Sequence, residues 1–541
     1  MSELSEPTQK LIKEYQIWQQ SIEPKQGIVT IHADEVASRV AAFYERIRGI
    51  IDWKEEHLLK RRAIERILKR RLFSQMDITN GNFSQISIAN PLILELIRGG
   101  HFPNDKIAET KINDVQKIIE KYVFILNNKK KSQNKNKIQI YSWLSSIAAC
   151  EIEAAINPPI KEMALMNYMF ELMKEKIRLS EETLKSKKIN EKQKDIQIYI
   201  AVHQALFRLD CPIISYHLLI YKYPEWRNPS NDNLNEISNN IFLIHDDIEK
   251  SLNNPLLDKF YQICEKYNTP YLLLGDILSE DPSTVKEKIS GPETLENLTI
   301  KAYKKRLKTL KSRLGRAAFY ATLSIFLTNI ISLLLIEIPF NKYVTGYYFN
   351  VFAIVVDILV PTFLMFVLVY TIKPPKKGNL EATVMEVIKI AYKREKNDVY
   401  EIKSFPKRNF AFTVIMRFLY LISFSIIIGI ISWCLYQINF PPLSYLIFII
   451  FFSLIAFAGV KIRKRSKELE VIERKETFFP FVVDLFAVPI IQLGNWLTGR
   501  WKKYNVITMF FTALVDMPFL VFVEFIEQWR YFLKEKKEKI H

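Results

Sequence analysis

The sequence predicts an all-α fold in two parts: a helical N-terminal domain, and a four-helix transmembrane region followed by amphipathic interfacial helices. Three observations carry the prediction. Apolar residues recur at helical spacing through the first 300 residues, and strand-like alternation is scarce. Uncharged stretches long enough to cross a bilayer crowd the region from Ala317 to Val460. The formal net charge of +18 lies wholly in residues 301–541, because residues 1–300 sum to zero. Basic residues that cluster beside apolar runs are explained by membrane orientation, so nucleic-acid binding is not favoured.

Residues 1–300 read as a cytoplasmic helical domain. Val36, Val40, Phe43, Ile47 and Ile50 mark one helical face. The stretch NPLILELIRGG at 90–100 starts on Asn and Pro and stops on Gly, as a capped helix does. Polar breaks near 127–137, 180–195 and 227–240 mark internal boundaries. The basic segment Lys60–Arg71 reads first as a solvated helix face, with lipid headgroups or an acidic partner as alternatives. The N-terminus MSELSEPTQK lacks a basic start and an apolar core, so no cleaved secretion signal is expected.

Residues 301–316 predict a basic amphipathic juxtamembrane helix. Tyr303, Leu307, Leu310 and Leu314 form its apolar stripe, and Lys304, Lys305, Arg306, Lys308, Lys311, Arg313 and Arg316 supply charge for anionic lipid. Each basic group near such a surface contributes about 1 kcal/mol.

Four crossings follow. Ala317–Ile336 is twenty residues without a charge. Tyr343–Ile372 carries Asp357 as its only charge, and these two runs form a first hairpin over 317–372. Phe418–Val460 is 43 uncharged residues broken by NFPP at 439–442, which makes a second hairpin over 414–460. The linkers 373–413 and 461–477 are basic, whereas the turns EIPFNKYVTG and NFPP hold one Lys between them. Lys and Arg stay on the cytoplasmic side, so both termini are expected there, in a bacterial inner membrane. Asn329 and Asp357 stand fourteen residues either side of the first turn, hence at one depth. A protonated or hydrogen-bonded Asp357 paired with the Asn329 amide would join the two helices; an ion or proton path is the other reading. In the second hairpin, Ser425, Gly429 and Ser432 predict close packing against Ser453 and Ala456.

Residues 478–533 repeat the motif VVDILVP of 355–361, as VVDLFAVP at 482–489 and LVDMP at 514–518. Asp484, Gln492 and Asn495 correspond, 32 residues on, to Asp516, Glu524 and Glu527, a narrow polar stripe on an apolar helix in each copy. A spanning pair would put Arg500, Lys502 and Lys503 outside, so two helices lying in the inner interface are preferred, with a six-span bundle as the alternative. Residues 534–541 form a basic tail.

The four cysteines are too far apart to predict a disulfide or a zinc site, and no phosphate-binding glycine loop is present. The stretch IFLIHDDIEKS offers His245, Asp246 and Asp247 as candidate catalytic residues. It resembles the first aspartate-rich motif of polyprenyl synthases, although Lys250 stands where that motif has a carboxylate. It is also similar to the His-Asp pair of metal-dependent phosphohydrolases, which would recruit His217 and Asp276. No cofactor and no metal are predicted.

From about residue 255 the stretches YNTPYLLLGDIL, RAAFYATLSIFLT, LLIEIPF, DVYEIK, AFAGVKIR and VDMPFLVFVEFIEQWRYFLKEKKEKIH carry a resemblance. They resemble a family of multi-span membrane proteins of bacterial candidate phyla, and the resemblance implies a membrane location and no activity. The expected function is a non-catalytic membrane-anchored scaffold with a cytoplasmic protein partner, an anionic bilayer beneath it and a second copy as a further partner. A transport or channel subunit using intramembrane carboxylates is the alternative, and a metal-dependent hydrolase or prenyl-diphosphate enzyme comes third.

Overall fold

The computed structural model describes residues 3–22, 29–33, 56–74, 87–128, 137–181, 189–346, 351–370, 378–392, 399–403, 410–471 and 478–503, together with isolated positions elsewhere. The first helical face expected from sequence, Val36 to Ile50, and the tail 534–541, apart from Lys536, lie outside them. The described residues are almost wholly α-helical, with one short pair of strands among them. The helices of the N-terminal part are α1 (Glu6–Ile22), α2 (Glu56–Ser74), α3 (Ala89–Arg98), α4 (Thr110–Asn128), α5 (Lys137–Ile156) and α6 (Ile160–Lys176). After strand β1 (Ile177–Leu179) come α7 (Glu191–Phe207), α8 (Cys211–Lys222), α9 (Asn231–Leu252), α10 (Leu257–Lys266) and α11 (Asn268–Glu280). Local chemistry starts several of them. Asn190 and Gln193 form a capping box on α7, Asp210 caps α8 ahead of Pro212, and Ser230 caps α9.

Helix α12 (Pro292–Ser332) differs from expectation. It continues without a break through two π turns, Leu333–Glu337 and Asn341–Thr345. The basic stretch 301–316 therefore lies in the same helix as the first apolar run and is no separate element. Its apolar stripe meets protein: Tyr303 and Leu310 are buried in the N-terminal core, and Leu307 and Leu314 pack against it. Helix α13 (Val351–Tyr370) follows, then α14 (Gly378–Ala391), strand β2 (Tyr400–Ile402), α15 (Phe410–Gln437), α16 (Pro442–Ser466) and α17 (Phe478–Lys503). Among the described residues three helices are long and apolar enough to cross a membrane: Pro292–Val344, α15 and α16. Within α13, residues Phe352–Leu368 form a shorter apolar helix.

The linkers between apolar helices do not stand apart as basic loops. Strand β2 pairs in parallel with β1, Ile177 opposite Tyr400 and Leu179 opposite Ile402. Val387, Ala391, Ile402 and Leu469 all lie in the same core as α1–α11. Asn379 joins three segments. Its Nδ2 donates to the Tyr303 hydroxyl, 3.1 Å, and to the Leu469 carbonyl, 2.5 Å, while its Oδ1 accepts from the Val471 amide, 2.8 Å. Tyr168 donates to the Ile390 carbonyl, 2.7 Å, and Lys464 pairs with Glu265, 3.1 Å.

The basic segment of α2 is neither a solvated face nor a free docking patch. Arg61 is buried between Glu65, 2.5 Å, and Asp210, 2.6 Å, and both Arg70 and Arg71 pair with Glu95. Burial of Ala63, Ile64, Ile67 and Leu68 turns the helix inward, and the charges close on one another at its edge.

Helix α17 packs against α16, and the two come closest where a Cβ on Gly494 would stand 2.1 Å from the Ser453 carbonyl oxygen. Two small residues let the backbones meet there. The Gln492 carbonyl accepts from the Tyr420 hydroxyl of α15, 2.7 Å. The expected α15–α16 device is absent: Ser425 and Gly429 are exposed, and a Cβ on Gly429 would meet open space. Ser453 is used, but Gly494 is what it meets.

Candidate functional site

The polar group of the apolar half is built from α12, α13 and α16. Pro361 sits inside α13. It has no N–H, so the carbonyl four residues earlier, that of Asp357, loses its helical donor. Asn329 of α12 supplies one: its Nδ2 donates to the Asp357 backbone oxygen. The two residues do meet at one depth, as their spacing predicts. The bond differs from expectation, because the Asn329 amide takes the carbonyl that Pro361 frees and leaves the carboxylate alone. Asp357 is 1% exposed, Asn329 is fully buried, and neither carboxylate oxygen nor Asn329 Oδ1 has a hydrogen-bond partner among the described residues.

Glu337 joins this group and was not singled out by sequence reasoning. At 100° per residue it would stand about 80° round the helix from Asn329. The π turn Leu333–Glu337 holds more residues per turn and brings it back toward the Asn329 line. Glu337 is fully buried; Ser444 of α16 donates to one carboxylate oxygen and Ser332 to the other, the latter at 3.4 Å. Glu337 also lies within electrostatic range of Asp357. The signals in the sequence were Pro361 four residues after Asp357, and a glutamate inside LLIEIPF that counts as turn when only uncharged runs are scored.

The stripe of α17 is described in part. Gln492 bonds to Tyr420, and Asn495 is exposed. The side chains of Asp484, Arg500, Lys502 and Lys503 lie outside the described residues, as do Asp516, Glu524 and Glu527. On α12, Lys304, Lys308, Lys311, Arg313 and Arg316 are exposed. Lys305 reaches Glu280, 3.2 Å, and Arg306 grips Asp276 through two bonds, so these two hold the helix to α11.

Of the candidate catalytic residues only His245 and Asp246 meet, with His245 Nδ1 3.4 Å from Asp246 Oδ1; Asp247, His217 and Asp276 are engaged elsewhere. Successive residues on α9 point 100° apart. His245 sets its ring edge-on to Trp143, Asp246 is exposed, and Asp247 accepts from Lys222, 2.8 Å. Asp276 is taken by Arg306, and His217 is buried against His203, ring centroids 5.1 Å apart. No group of three His, Cys, Asp or Glu able to hold a metal occurs among the described residues.

The His203–His217 pair has a different consequence. His203 Nδ1–H donates to the Tyr199 carbonyl, 2.8 Å, and burial pushes the imidazole pKa down to about 4; burial lowers His217 as well. The unfolded chain binds these protons first, so His203 should remove stability as pH falls from about 6.5 to about 4, by about 3 kcal/mol in all. Buried Glu153, raised to about 7, acts in the opposite direction, losing stability as pH rises from about 4.5 to that value. The clean measurement is therefore the difference between wild type and His203→Phe in denaturation followed against pH. A difference that stays flat between pH 7 and 4 would refute the neutral-pair reading.

Comparison with known proteins finds no matching family model, no matching curated protein and no matching solved structure.

Proposed function

We propose that the chain is a multi-pass membrane protein acting as a non-catalytic scaffold, with its helical domain and the inter-helix linkers clamped together on the cytoplasmic face. The observation that carries this reading is the shared core. Val387, Ile390, Ala391, Tyr392, Ile402 and Leu469 pack with α1–α11, so chain that leaves the domain along α12 returns to it before α15 and again after α16. Each excursion then crosses the bilayer an even number of times: out along α12 and back along α13, out along α15 and back along α16. The twenty residues of α13 suffice for about 30 Å of hydrocarbon. The excess of Lys and Arg on the linkers assigns that face to the cytoplasm.

The close backbone approach of α17 to α16 at Gly494 and Ser453 favours α17 as a further helix of the bundle. This is the six-span alternative, with Arg500, Lys502 and Lys503 outside.

Single cysteines in a chain freed of its four native ones test the arrangement. K342C, N439C and G499C should react with an impermeant maleimide from outside intact cells; E401C and K467C should react only after the membrane is opened. Labelling of E401C from outside would end this reading.

A second reading, a transport subunit, is favoured by one observation: the carboxylate oxygens of Asp357 have no hydrogen-bond partner among the described residues. Purified protein in liposomes separates the two. The scaffold leaves imposed sodium and proton gradients intact, whereas a transporter dissipates them in a manner that Asp357→Asn abolishes.

A further inference from the structure

We infer that Asp357 and Asn329 form a binding site for a monovalent metal cation of the Na+ class between α12 and α13. Three acceptor oxygens carry the inference: both carboxylate oxygens of Asp357 and Oδ1 of Asn329, all buried and all without a donor among the described residues. A buried polar oxygen left without a partner is costly, and an isolated buried charge costs more. The side chains cannot satisfy one another by rotating the amide. Asn329 Nδ2 is committed to the backbone carbonyl that Pro361 frees, so its oxygen is held as an acceptor on the Asp357 side of the contact.

No Lys, Arg or His pairs with Asp357 among the described residues, so an ionised Asp357 takes its counter-charge from elsewhere. Hard oxygen donors without nitrogen or sulfur suit an alkali cation. The valence follows from the carboxylates. Glu337 has its two oxygens engaged by Ser332 and Ser444, so Asp357 alone offers open carboxylate oxygens, and one negative charge balances one positive charge. Glu337 adds field within electrostatic range and is no ligand in this arrangement. The site rests on α12 and α13 lying in the bilayer but requires no transport: a bound ion would hold the first hairpin closed in a scaffold as well as in a carrier.

The test is equilibrium binding of radioactive sodium to the purified full chain in detergent at constant pH and ionic strength, with choline as the balancing cation. Saturable binding of about one ion per chain is expected, competed by unlabelled Na+ and Li+ and not by choline. Asp357→Asn should abolish it, and Asn329→Ala should weaken it at least tenfold. Glu337→Gln should weaken it less than Asp357→Asn while leaving the stoichiometry unchanged. Sodium should also raise the melting temperature of wild type and leave that of Asp357→Asn unmoved. Absence of saturable sodium binding by the wild type overturns the inference, as does binding that a folded Asp357→Asn variant retains. Saturable binding of potassium with none of sodium overturns the assignment to the Na+ class. The maleimide experiment reports separately on the crossings, so a failed sodium result with correct labelling indicts the site alone.

Discussion

Glu151→Ala is expected to destabilise the helical domain by about 3–5 kcal/mol, a large share of the 5–15 kcal/mol typical of a folded protein. The reason is a closed polar network in an apolar setting. Lys121 Nζ donates to Glu151 Oε1, 2.5 Å, and to the Trp226 carbonyl, 2.9 Å. Tyr122 donates to Glu151 Oε2, 2.6 Å, and accepts from Trp226 Nε1, 3.0 Å. The Lys121 and Glu151 side chains are only 8% and 6% exposed. Burial already pushes the Lys121 pKa down, and Glu151 is the main group opposing that. Without the carboxylate an ammonium and a phenol lose their acceptor at once. The loss should shrink as pH rises toward the ordinary lysine range, because the stranded ammonium can then shed its proton. The double variant Lys121→Met with Glu151→Leu should recover most of the stability, since apolar groups of similar size replace a buried pair at little cost. Denaturation of the single and double variants checks this; a single variant no worse than the double would show that water reaches the pair.

The second large effect belongs to Gly494. A Cβ added there would stand 2.1 Å from the Ser453 carbonyl oxygen, 2.8 Å from its carbon and 2.9 Å from Phe457 Cβ. Two of these atoms are backbone, so no side chain can swing aside and the helices must part. Gly494→Ala is expected to cost about 1–3 kcal/mol, and Gly494→Leu to displace α17 from α16. The contact with Tyr420 through Gln492 should be lost with it. Gly429 gives the opposite sign: its Cβ would meet open space, and alanine in a helix is better than glycine by about 0.5–1 kcal/mol. Melting temperatures of the two alanine variants in detergent should therefore move in opposite directions. A Gly494→Ala variant as stable as wild type would mean that the helices do not meet at Ser453.

Much of the architecture was legible because it depends on local properties of the chain. The lengths of the uncharged runs, the NFPP break and the spacing of Asn329 and Asp357 about the turn are each contained in one stretch. What misled was partner choice. Gly429 and Gly494 are both single glycines inside largely apolar helices, and nothing within either stretch says which one a neighbouring backbone touches. The Arg-rich face of α2 has the composition of a solvated helix, and its acids come from Asp210 and Glu95, distant in sequence. His217, Asp276 and the His245 group have the right residue types for a metal, but helix geometry points them apart.

By itself the sequence determined that this chain is helical, that its second half is apolar enough for a membrane, and that NFPP breaks its longest apolar run, since charge, hydropathy and helical period act residue by residue. Only the tertiary structure decided that the linkers belong to the N-terminal core and that Asn329 serves the carbonyl freed by Pro361. It alone left the Asp357 carboxylate open. Those outcomes depend on which distant surfaces meet, as when Asn379 of one linker finds Leu469 and Val471 of another, and no single stretch of chain carries that information.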